Sequence, residues 1–356
     1  MAKQSSNTNL HKAKNNKKDE FYTQLSDIEN ELRHYKDHFK NKVVYCNCDD
    51  PRVSNFFHYF SYNFEHLGLK KLIATCYKNQ DADLFSTNVS EQAVYLEYTG
   101  DKNGNSIPDA HEIGVKDLQG DGDFRSQESI ELLKQADIVV TNPPFSLFRE
   151  YVTQLIDFEK KFIIVGSYNA ITYKEIFKII KENKMWLGYG FSGGNAYFKT
   201  PYSNDNFVEG VYNINTGLVK FRNVTWYTNL DIEKRNVDLI LHKKYTPEEY
   251  PSYDNYDAIN VDKTKDIPID YAGNIGVPIT FLDKYNPNQF EIIGQGQGNL
   301  YREMTEKGLN KKFVEDYYKS GGTGSIKEDH PVLGYYDKNK KPIIPYMRII
   351  IKNKKI

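Results

Sequence analysis

The tetrapeptide Asn142-Pro143-Pro144-Phe145 follows a largely apolar run, 136–141, that predicts a buried strand. Two prolines fix φ at about −65° and remove two N–H donors, so the turn is stiff and its carbonyl groups stay available as acceptors. The Asn142 side-chain oxygen and the Pro143 carbonyl could both accept from one exocyclic amino group, while Phe145 stacks on the ring that carries it. Such a cradle leaves the nitrogen lone pair exposed to an electrophile.

Alternating strand and helix patterns surround this turn. Apolar runs at 43–46, 72–76, 136–141 and 162–165 predict buried strands, and segments with apolar residues at helical spacing lie between them. The alternation predicts an α/β fold with a mostly parallel sheet and helices on both faces. Open sheets of this kind bind ligands at the carboxyl ends of their strands, where Asn142 lies. Ser26-x-x-Glu29 and Thr172-x-x-Glu175 predict capping boxes for two helices.

The composition changes along the chain and predicts three parts. We expect residues 19–230 to form the α/β body and residues 231–356, which are dense in Asp, Asn, Pro and Tyr, to form a smaller and irregular module. Residues 1–18 carry no acidic side chain and predict a basic, flexible arm. Its candidate phosphate contacts are Lys12, Lys14, Lys17 and Lys18. A solvated tail without function is the alternative.

The overall composition narrows the classes of function. The 356 residues carry a net charge of −1, so any DNA-binding face must be a local patch rather than a global field. Three cysteines do not make a disulfide framework and are typical of a reducing, cytoplasmic location. The sequence contains neither an apolar run of about 18 residues nor the apolar core of a signal peptide. We therefore expect no membrane partner.

Polar residues also follow the first predicted strand. Asn47, Asp49 and Asp50 come directly after it, and Ser54 and Asn55 precede an aromatic helix. This is the position for a nucleotide-like cofactor in an α/β sheet. No Gly-x-Gly pattern lies between this strand and the helix. An Asx turn that caps the helix therefore explains the same residues equally well.

Three aromatic segments are weaker candidates. Residues 21–23 (Phe-Tyr-Thr) could cover a cofactor or simply lead into the first helix, and Asp123 with Phe124 could contact an adenine ring or belong to a plain Gly-rich loop. Trp226 and Tyr227 lie on a β-run, where core packing is the usual role. We retain them as DNA-binding candidates because an enzyme that extrudes a base needs aromatic walls.

The segment 101–112 has the carboxylate and amide spacing of a calcium loop. Ser106 stands where such loops have glycine, and Pro108 is awkward there, so we predict a hairpin or surface loop instead. Cys46 and Cys48 lack partners at metal-ligand spacing and are expected in the core. The sequence predicts no metal site.

The chain resembles the EcoRI modification methylases, a family of DNA adenine-N6 methyltransferases. The resemblance rests on DEFYTQ (19–24), VVYCNCDDPRVSNFF (43–57), GDGDFRS (120–126), DIVVTNPPFSLF (137–148), and the segments 253–268 and 276–281. It spans most of the chain and is weaker at 80–120, 189–222 and 294–341. It implies a Rossmann-like methyltransferase fold, S-adenosyl-L-methionine as methyl donor, duplex DNA as substrate and target recognition by the C-terminal module.

The resemblance also implies residue roles. Asn142, Pro143, Pro144 and Phe145 would form the catalytic pocket for the target adenine. The positions expected to bind the cofactor are Phe21, Tyr22, Thr23, Asn47, Asp49, Asp50, Ser54, Asn55, Tyr77, Asp123 and Phe124. Two departures from common methyltransferases are the missing Gly-x-Gly and a second strand that ends in Thr75-Cys76-Tyr77 without an acidic residue, which leaves the ribose partner open.

The hypothesis is site-specific methyl transfer to N6 of a flipped-out adenine in duplex DNA. The protein would act as a monomer, alone or beside a restriction endonuclease that works separately. The same tetrapeptide suits methylation of an RNA base or of a protein glutamine amide, since both offer a planar –NH2. A non-catalytic DNA-binding protein on the same fold is the third interpretation.

Overall fold

The computed structural model describes residues 21–48, 54–75, 93–105, 108–109, 112–200, 207 and 210–356. The chain divides into two compact units. The first contains the residues up to Ala170 together with Met185–Leu230, and the second contains Ile171–Lys184 and Asp231–Ile356. Residues 171–184 thus belong to the second unit, whereas the sequence pattern placed them in the α/β body.

The first unit is built from twelve described strands and five described helices. The strands are β1 (Tyr22–Thr23), β2 (Val43–Cys46), β3 (Lys71–Thr75), β4 (Val94–Tyr98), β5 (Gly114–Asp117), β6 (Ile138–Thr141), β7 (Lys161–Ser167), β8 (Trp186–Leu187), β9 (Asn195–Lys199), β10 (Tyr212–Asn213), β11 (Leu218–Arg222) and β12 (Val224–Thr228). The helices are α1 (Leu25–Leu32), α2 (Asn55–Tyr62), α3 (Phe64–Leu67), α4 (Gln127–Gln135) and α5 (Phe148–Asp157). Short 3-10 turns lie at Lys36–His38, Phe145–Leu147 and Ser192–Gly194.

Eight of these strands form one sheet in the order β5-β4-β3-β2-β6-β7-β12-β8. The four central strands, β3, β2, β6 and β7, run parallel. The pairs at both edges are antiparallel, so the expectation of a mostly parallel sheet holds only for the centre. Apolar runs do not report strand direction, because both kinds of ladder bury the same residue types. The α/β class is confirmed.

The order of the central strands places a switch point between β2 and β6. The chain goes from β2 outward to β3, and later enters β6 on the other side of β2. Both strands are buried along their whole length, as parallel strands covered on two faces must be. Their carboxyl ends therefore flank the crevice where an open α/β sheet binds its ligand.

A second sheet of the first unit has the antiparallel order β1-β9-β11-β10. Asn223 alone separates β11 from β12, and its φ of 61° makes the sharp connection between the two sheets. The short strand β1 pairs with β9 through Tyr22 opposite Lys199 and Thr23 opposite Phe198. This pairing fixes the chain immediately before α1.

Helix α5 begins directly after the Asn-Pro-Pro-Phe turn and packs on the sheet. Its buried residues Phe148, Tyr151, Val152 and Leu155 recur at helical spacing. Gly166 on β7 permits the close approach, because a Cβ atom there would lie 2.3 Å from the Phe148 ring. Helix and turn are thereby held as one rigid piece.

Both predicted capping boxes are wrong. Helix α1 begins at Leu25 after Gln24, whose side chain makes no cap hydrogen bond, because pairing of β1 fixes the start of the helix two residues earlier than an N-cap at Ser26 requires. Tyr173 precedes the helix that follows Thr172, also without a side-chain cap. Helix α4 is capped by Ser126, whose Oγ accepts from the Ser129 N–H at 3.2 Å.

The second unit contains more regular structure than its composition suggested. Its helices are α6 (Lys174–Lys181), α7 (Glu233–Asn236), α8 (Gly298–Arg302) and α9 (Lys311–Lys319), with 3-10 turns at Thr264–Asp266 and Ile279–Lys284. Its strands are β13 (Ile259–Asn260), β14 (Ile275–Pro278), β15 (Phe290–Gln295), β16 (Tyr335–Tyr336), β17 (Pro342–Ile343) and β18 (Arg348–Asn353). Four of them form a sheet in the order β13-β14-β18-β15, and β16 pairs with β17. A 3-10 turn at Tyr168–Thr172 spans the boundary of the units.

The calcium-like segment connects β4 to β5, which pair antiparallel, so the hairpin prediction is confirmed. In the part of the chain that the structure describes, no group of three or more His, Cys, Asp or Glu side chains could hold a metal ion. Within the same residues, no helix is long and apolar enough to cross a membrane.

Candidate active site

Asn142 leaves the end of β6 with its side chain buried and fixed at one end. Its Nδ2 donates to the backbone oxygen of Phe21 at 2.6 Å, and only 7% of the residue is exposed. The bond to a carbonyl settles the orientation of the amide, because only the nitrogen can donate. The Oδ1 atom is buried and has no hydrogen-bond partner among the described residues. A fixed, unsatisfied acceptor therefore lies at the carboxyl end of β6.

Phe145 lies half-buried beside this acceptor, at the start of a 3-10 turn. Its ring stacks on Phe21 with centroids 6.3 Å apart and planes at 23°. Phe198 and Phe221, from β9 and β11, contact it edge-on, each at 6.3 Å. The four rings form an aromatic wall whose members come from four separate segments of the chain.

A second asparagine fixes the other end of the 21–23 segment. Asn55, the first residue of α2, donates its Nδ2 to the Thr23 backbone oxygen at 2.7 Å. Thr23 is 1% exposed, and its Oγ1 has no hydrogen-bond partner in the described part of the chain. The segment 21–23 is thus held between the amides of Asn142 and Asn55.

Asn47 connects the ends of β2 and β6. Its backbone oxygen accepts from Thr141 Oγ1, and its side-chain Oδ1 accepts from the Tyr151 hydroxyl of α5. Burial raises the pKa of Tyr151 well above the usual range, so the phenol stays protonated and donates. The two oxygen atoms of Asn47 thus hold two strand ends and one helix together, and its contact with the cofactor stays a prediction.

Asp123 and Phe124 reach the same network from the loop before α4. The Phe124 ring meets Tyr151 edge-on at 5.0 Å, and Gln154 Nε2 donates to its backbone oxygen at 3.0 Å. Asp123 accepts from Arg125 Nε at 2.8 Å and from Nη2 at 2.6 Å, and hydrogen bonding by that guanidinium lowers the pKa of the Asp123 carboxyl. Asp123 Oδ1 also accepts the Arg125 backbone N–H at 2.8 Å, so that among the described residues one lone pair on Oδ2 has no donor.

The remaining sequence predictions have different outcomes. Ser54 is buried at the N-cap of α2, and Tyr22 is half-buried on β1. Trp226 and Tyr227 are fully buried in β12, with Trp226 packed on Phe56 and Phe191, so their predicted contact with DNA is wrong. The residues Asp49, Asp50, Tyr77, Lys12, Lys14, Lys17 and Lys18 lie outside the described residues.

Sequence reasoning missed several residues of this arrangement. Tyr151 had no predicted role, and Phe198 and Phe221 lie in a region of weak resemblance. Thr141 appeared only as the last residue of a strand. Each acts through contacts with segments about 100 or more residues away, as Tyr151 does with Asn47, 104 residues earlier. Local periodicity carries no signal for such pairs.

Comparison with known proteins assigns the chain to a family. The family described as adenine-specific methyltransferase EcoRI matches residues 9–354. The chain belongs to this EcoRI methylase family. It is therefore a site-specific DNA methyltransferase that modifies adenine.

Three relatives of the EcoRI methylase family are named type II methyltransferases. M.EcoRI of Escherichia coli is 52% identical over 315 residues, which cover 86% of this chain and 95% of that protein. M.MgeORF184P of Mycoplasma genitalium is 40% identical over 293 residues, 80% of this chain and 85% of the relative. M.MpnI of Mycoplasma pneumoniae is 39% identical over 292 residues, with 80% and 84% covered. No solved structure matches the chain.

Proposed function

We propose that Asn142, Pro143, Pro144 and Phe145 hold an adenine that has left the DNA duplex, for methyl transfer to its N6 atom. The observation that carries this proposal is the buried, unpartnered Oδ1 of Asn142. Leaving a buried acceptor unsatisfied costs about 1–3 kcal/mol, which a ligand donor recovers. The N6 amino group of adenine is such a donor, and Phe145 is placed to stack on its ring.

The adenine must leave the base stack because N6 is engaged in pairing inside the duplex. Extrusion costs a few kcal/mol, and ring stacking together with the hydrogen bond to Asn142 offsets part of that cost. The other three rings of the aromatic wall restrict where Phe145 can lie. The pocket therefore accepts a planar base in one position and orientation relative to the Phe145 ring.

The residues of the segment 21–23 and its surroundings fit S-adenosyl-L-methionine, the methyl donor that the family implies. Thr23 Oγ1 is a buried hydroxyl in need of a partner, and Asp123 retains one acceptor position for an adenine amino group. Thr23, Asn55, Asp123 and Phe124 would hold the cofactor, which supplies an electrophilic methyl group when bound. Asn142 and Phe145 then orient N6 toward it.

No side chain of this pocket has to act as a nucleophile. Positive charge develops on N6 as the methyl group is transferred, and the carbonyl dipole of Asn142 is already aimed at the N6 protons. The fixed acceptor needs no reorganisation, because its Nδ2 end is anchored to Phe21. Catalysis rests on alignment and on this preorganised dipole.

The test is Asn142→Ala, measured by modification sequencing of DNA from a methylation-free host and by calorimetry with S-adenosyl-L-methionine. We expect the variant to lose N6-methyladenine at the recognised motif while cofactor binding largely survives. The matched control is Asn288→Ala, which changes an exposed asparagine of the second unit. This variant should methylate DNA at the wild-type rate. Equal methylation by Asn142→Ala, or wild-type activity on RNA or protein instead of DNA, would contradict the proposal.

A further inference from the structure

A cleft of about 450 Å³ in the second unit combines amide, hydroxyl and ammonium groups in its lining. Thr172 lies just before α6 and Lys174 begins it, Gln297 is the N-cap of α8 and Asn299 lies in its first turn, and Tyr346 belongs to the segment before β18. Four of these side chains, those of Lys174, Gln297, Asn299 and Tyr346, are on exposed residues. None of this lining belongs to the candidate active site.

The segment 296–299, which carries the two amides, is held in place by backbone hydrogen bonds. The Gly296 N–H donates to the Arg348 oxygen at 2.8 Å, and the Gly298 N–H donates to the Pro331 oxygen at 2.8 Å. Gly298 has a φ of 66°, a left-handed conformation that glycine adopts without strain. Gln297 and Asn299 therefore project exposed amides from a rigid backbone, which is the arrangement that precise recognition requires.

One face of α6 adds positive charge beside the cleft. Lys174, Lys178 and Lys181 recur at i, i+4 and i+7 and are exposed, while the opposite face of the helix is buried. Lys174 and Lys178 pair with Glu303 at 3.2 and 3.4 Å, and all three side chains are 46% exposed. Ion pairs this exposed contribute little, so a phosphate can replace Glu303 as the partner.

We propose that this cleft reads base edges of the DNA target, with Gln297 and Asn299 as specificity-determining residues and Lys174 and Lys178 as phosphate contacts. An amide offers one donor and one acceptor side by side, which matches N7 and the N6 amino group of adenine in the major groove. Lysines on the adjacent helix face complement the phosphate backbone. This inference rests on the proposed action on duplex DNA and adds the residues that choose the site.

The amides are tested with Gln297→Ala and Asn299→Ala on the recognised duplex and on duplexes with one base pair changed. We expect kcat/KM on the recognised duplex to fall about 5- to 150-fold for each variant, with discrimination lost at the base pair that the amide reads. Cofactor affinity and melting temperature should match the wild type. Asn288→Ala, which removes an exposed amide outside the cleft, should change none of these quantities.

The lysines are tested by the salt dependence of DNA binding. Lys174→Gln and Lys178→Gln should weaken binding to recognised and unrelated duplexes alike, and should reduce the slope of log K against log salt by about 0.9 for each lost contact. Glu303→Gln should act in the opposite direction, because it removes the competing carboxylate. Lys352→Gln, an exposed lysine on β18, is the control.

The outcomes separate this inference from the proposed function. If the wild type methylates DNA and both amide variants keep its discrimination at every base pair, the cleft does not read bases and this inference is overturned. It is also overturned if kcat/KM of the amide variants falls by the same factor on every duplex sequence. If the wild type methylates no DNA while Asn142→Ala still binds the cofactor, the proposed function fails instead.

Discussion

The two ends of one amide have different tasks in this enzyme. Asn142 Nδ2 is committed to the Phe21 carbonyl, and only the oxygen end remains for a ligand. An isolated asparagine in a flexible turn would rotate to suit whichever partner arrived. Here the orientation is set before any ligand binds, so the proposed acceptor for the adenine amino group would need no rearrangement.

Phe145 offers a test of ring stacking at the scale of one residue. We expect Phe145→Leu to lower kcat/KM for DNA methylation by about 5- to 150-fold, because stacking of a base on an aromatic ring is worth about 1–3 kcal/mol. Phe145→Tyr keeps the ring and should retain most activity. Methylation kinetics and melting temperature measure both effects, and equal loss in the two variants would argue against stacking.

At the scale of elements, the strand β1 joins the two halves of the pocket. Asn142 holds one end of the segment 21–23, Asn55 holds the other, and β9 pairs along it. Two residues of strand are too few to be stable alone. The amides and β9 therefore determine where Thr23, a proposed cofactor contact, lies.

Asn55→Ala tests this clamp. We expect affinity for S-adenosyl-L-methionine to fall about 2- to 12-fold, since a typical hydrogen bond contributes about 0.5–1.5 kcal/mol. The matched control is Asn63→Ala, which removes an amide-to-carbonyl bond to Tyr59 just after α2 ends and should leave cofactor affinity unchanged. Calorimetry would contradict the clamp if both variants lost affinity equally.

The Asp123–Arg125 pair gives the loop before α4 a defined response to acid. The lowered pKa of Asp123 means that its stabilisation is complete above the ordinary carboxyl range and is lost as the pH falls through the lowered value. We expect the gap in melting temperature between wild type and Asp123→Asn to be constant above about pH 5 and to close below about pH 4.

Sequence patterns predicted which segments become strands, but not how they pair. The runs at 43–46 and 138–141 are strands as expected, because buried parallel strands consist of continuous apolar residues. The run at 162–165 lies within a longer strand, β7, that begins at Lys161 and ends at Ser167. The same limit applies to the site. The tetrapeptide identified Asn142 as a candidate, but its hydrogen bond to Phe21 joins residues 121 positions apart and could not be read from local sequence.

At the scale of the whole molecule, the site described here lies within the first unit, and the polar cleft lies within the second. We therefore propose that chemistry and site choice are separable properties. Variants in the first unit should change the rate on every sequence, and variants in the cleft should change which sequence is methylated.

Truncation tests the proposed basic arm. Removal of residues 1–18 should leave cofactor affinity unchanged but weaken DNA binding, with the salt slope reduced by up to about 3.6 for four lost lysine contacts. Removal of residues 1–24 also deletes Phe21 and Thr23 and should abolish methylation. Salt-dependent binding assays and methylation kinetics distinguish the two. If deletion of residues 1–18 leaves the slope of log K against log salt unchanged, the arm makes no contact with DNA phosphates.

The aromatic wall has a consequence for the moment at which the enzyme becomes active. Its rings come from Phe21, Phe145, Phe198 and Phe221, so no shorter stretch of chain contains the pocket. A ribosome must make more than 221 residues before the pocket can close, which takes about 10 to 45 s at about 5–20 residues per second. Until then the nascent chain carries its Asn-Pro-Pro-Phe turn without the other three rings of the aromatic wall.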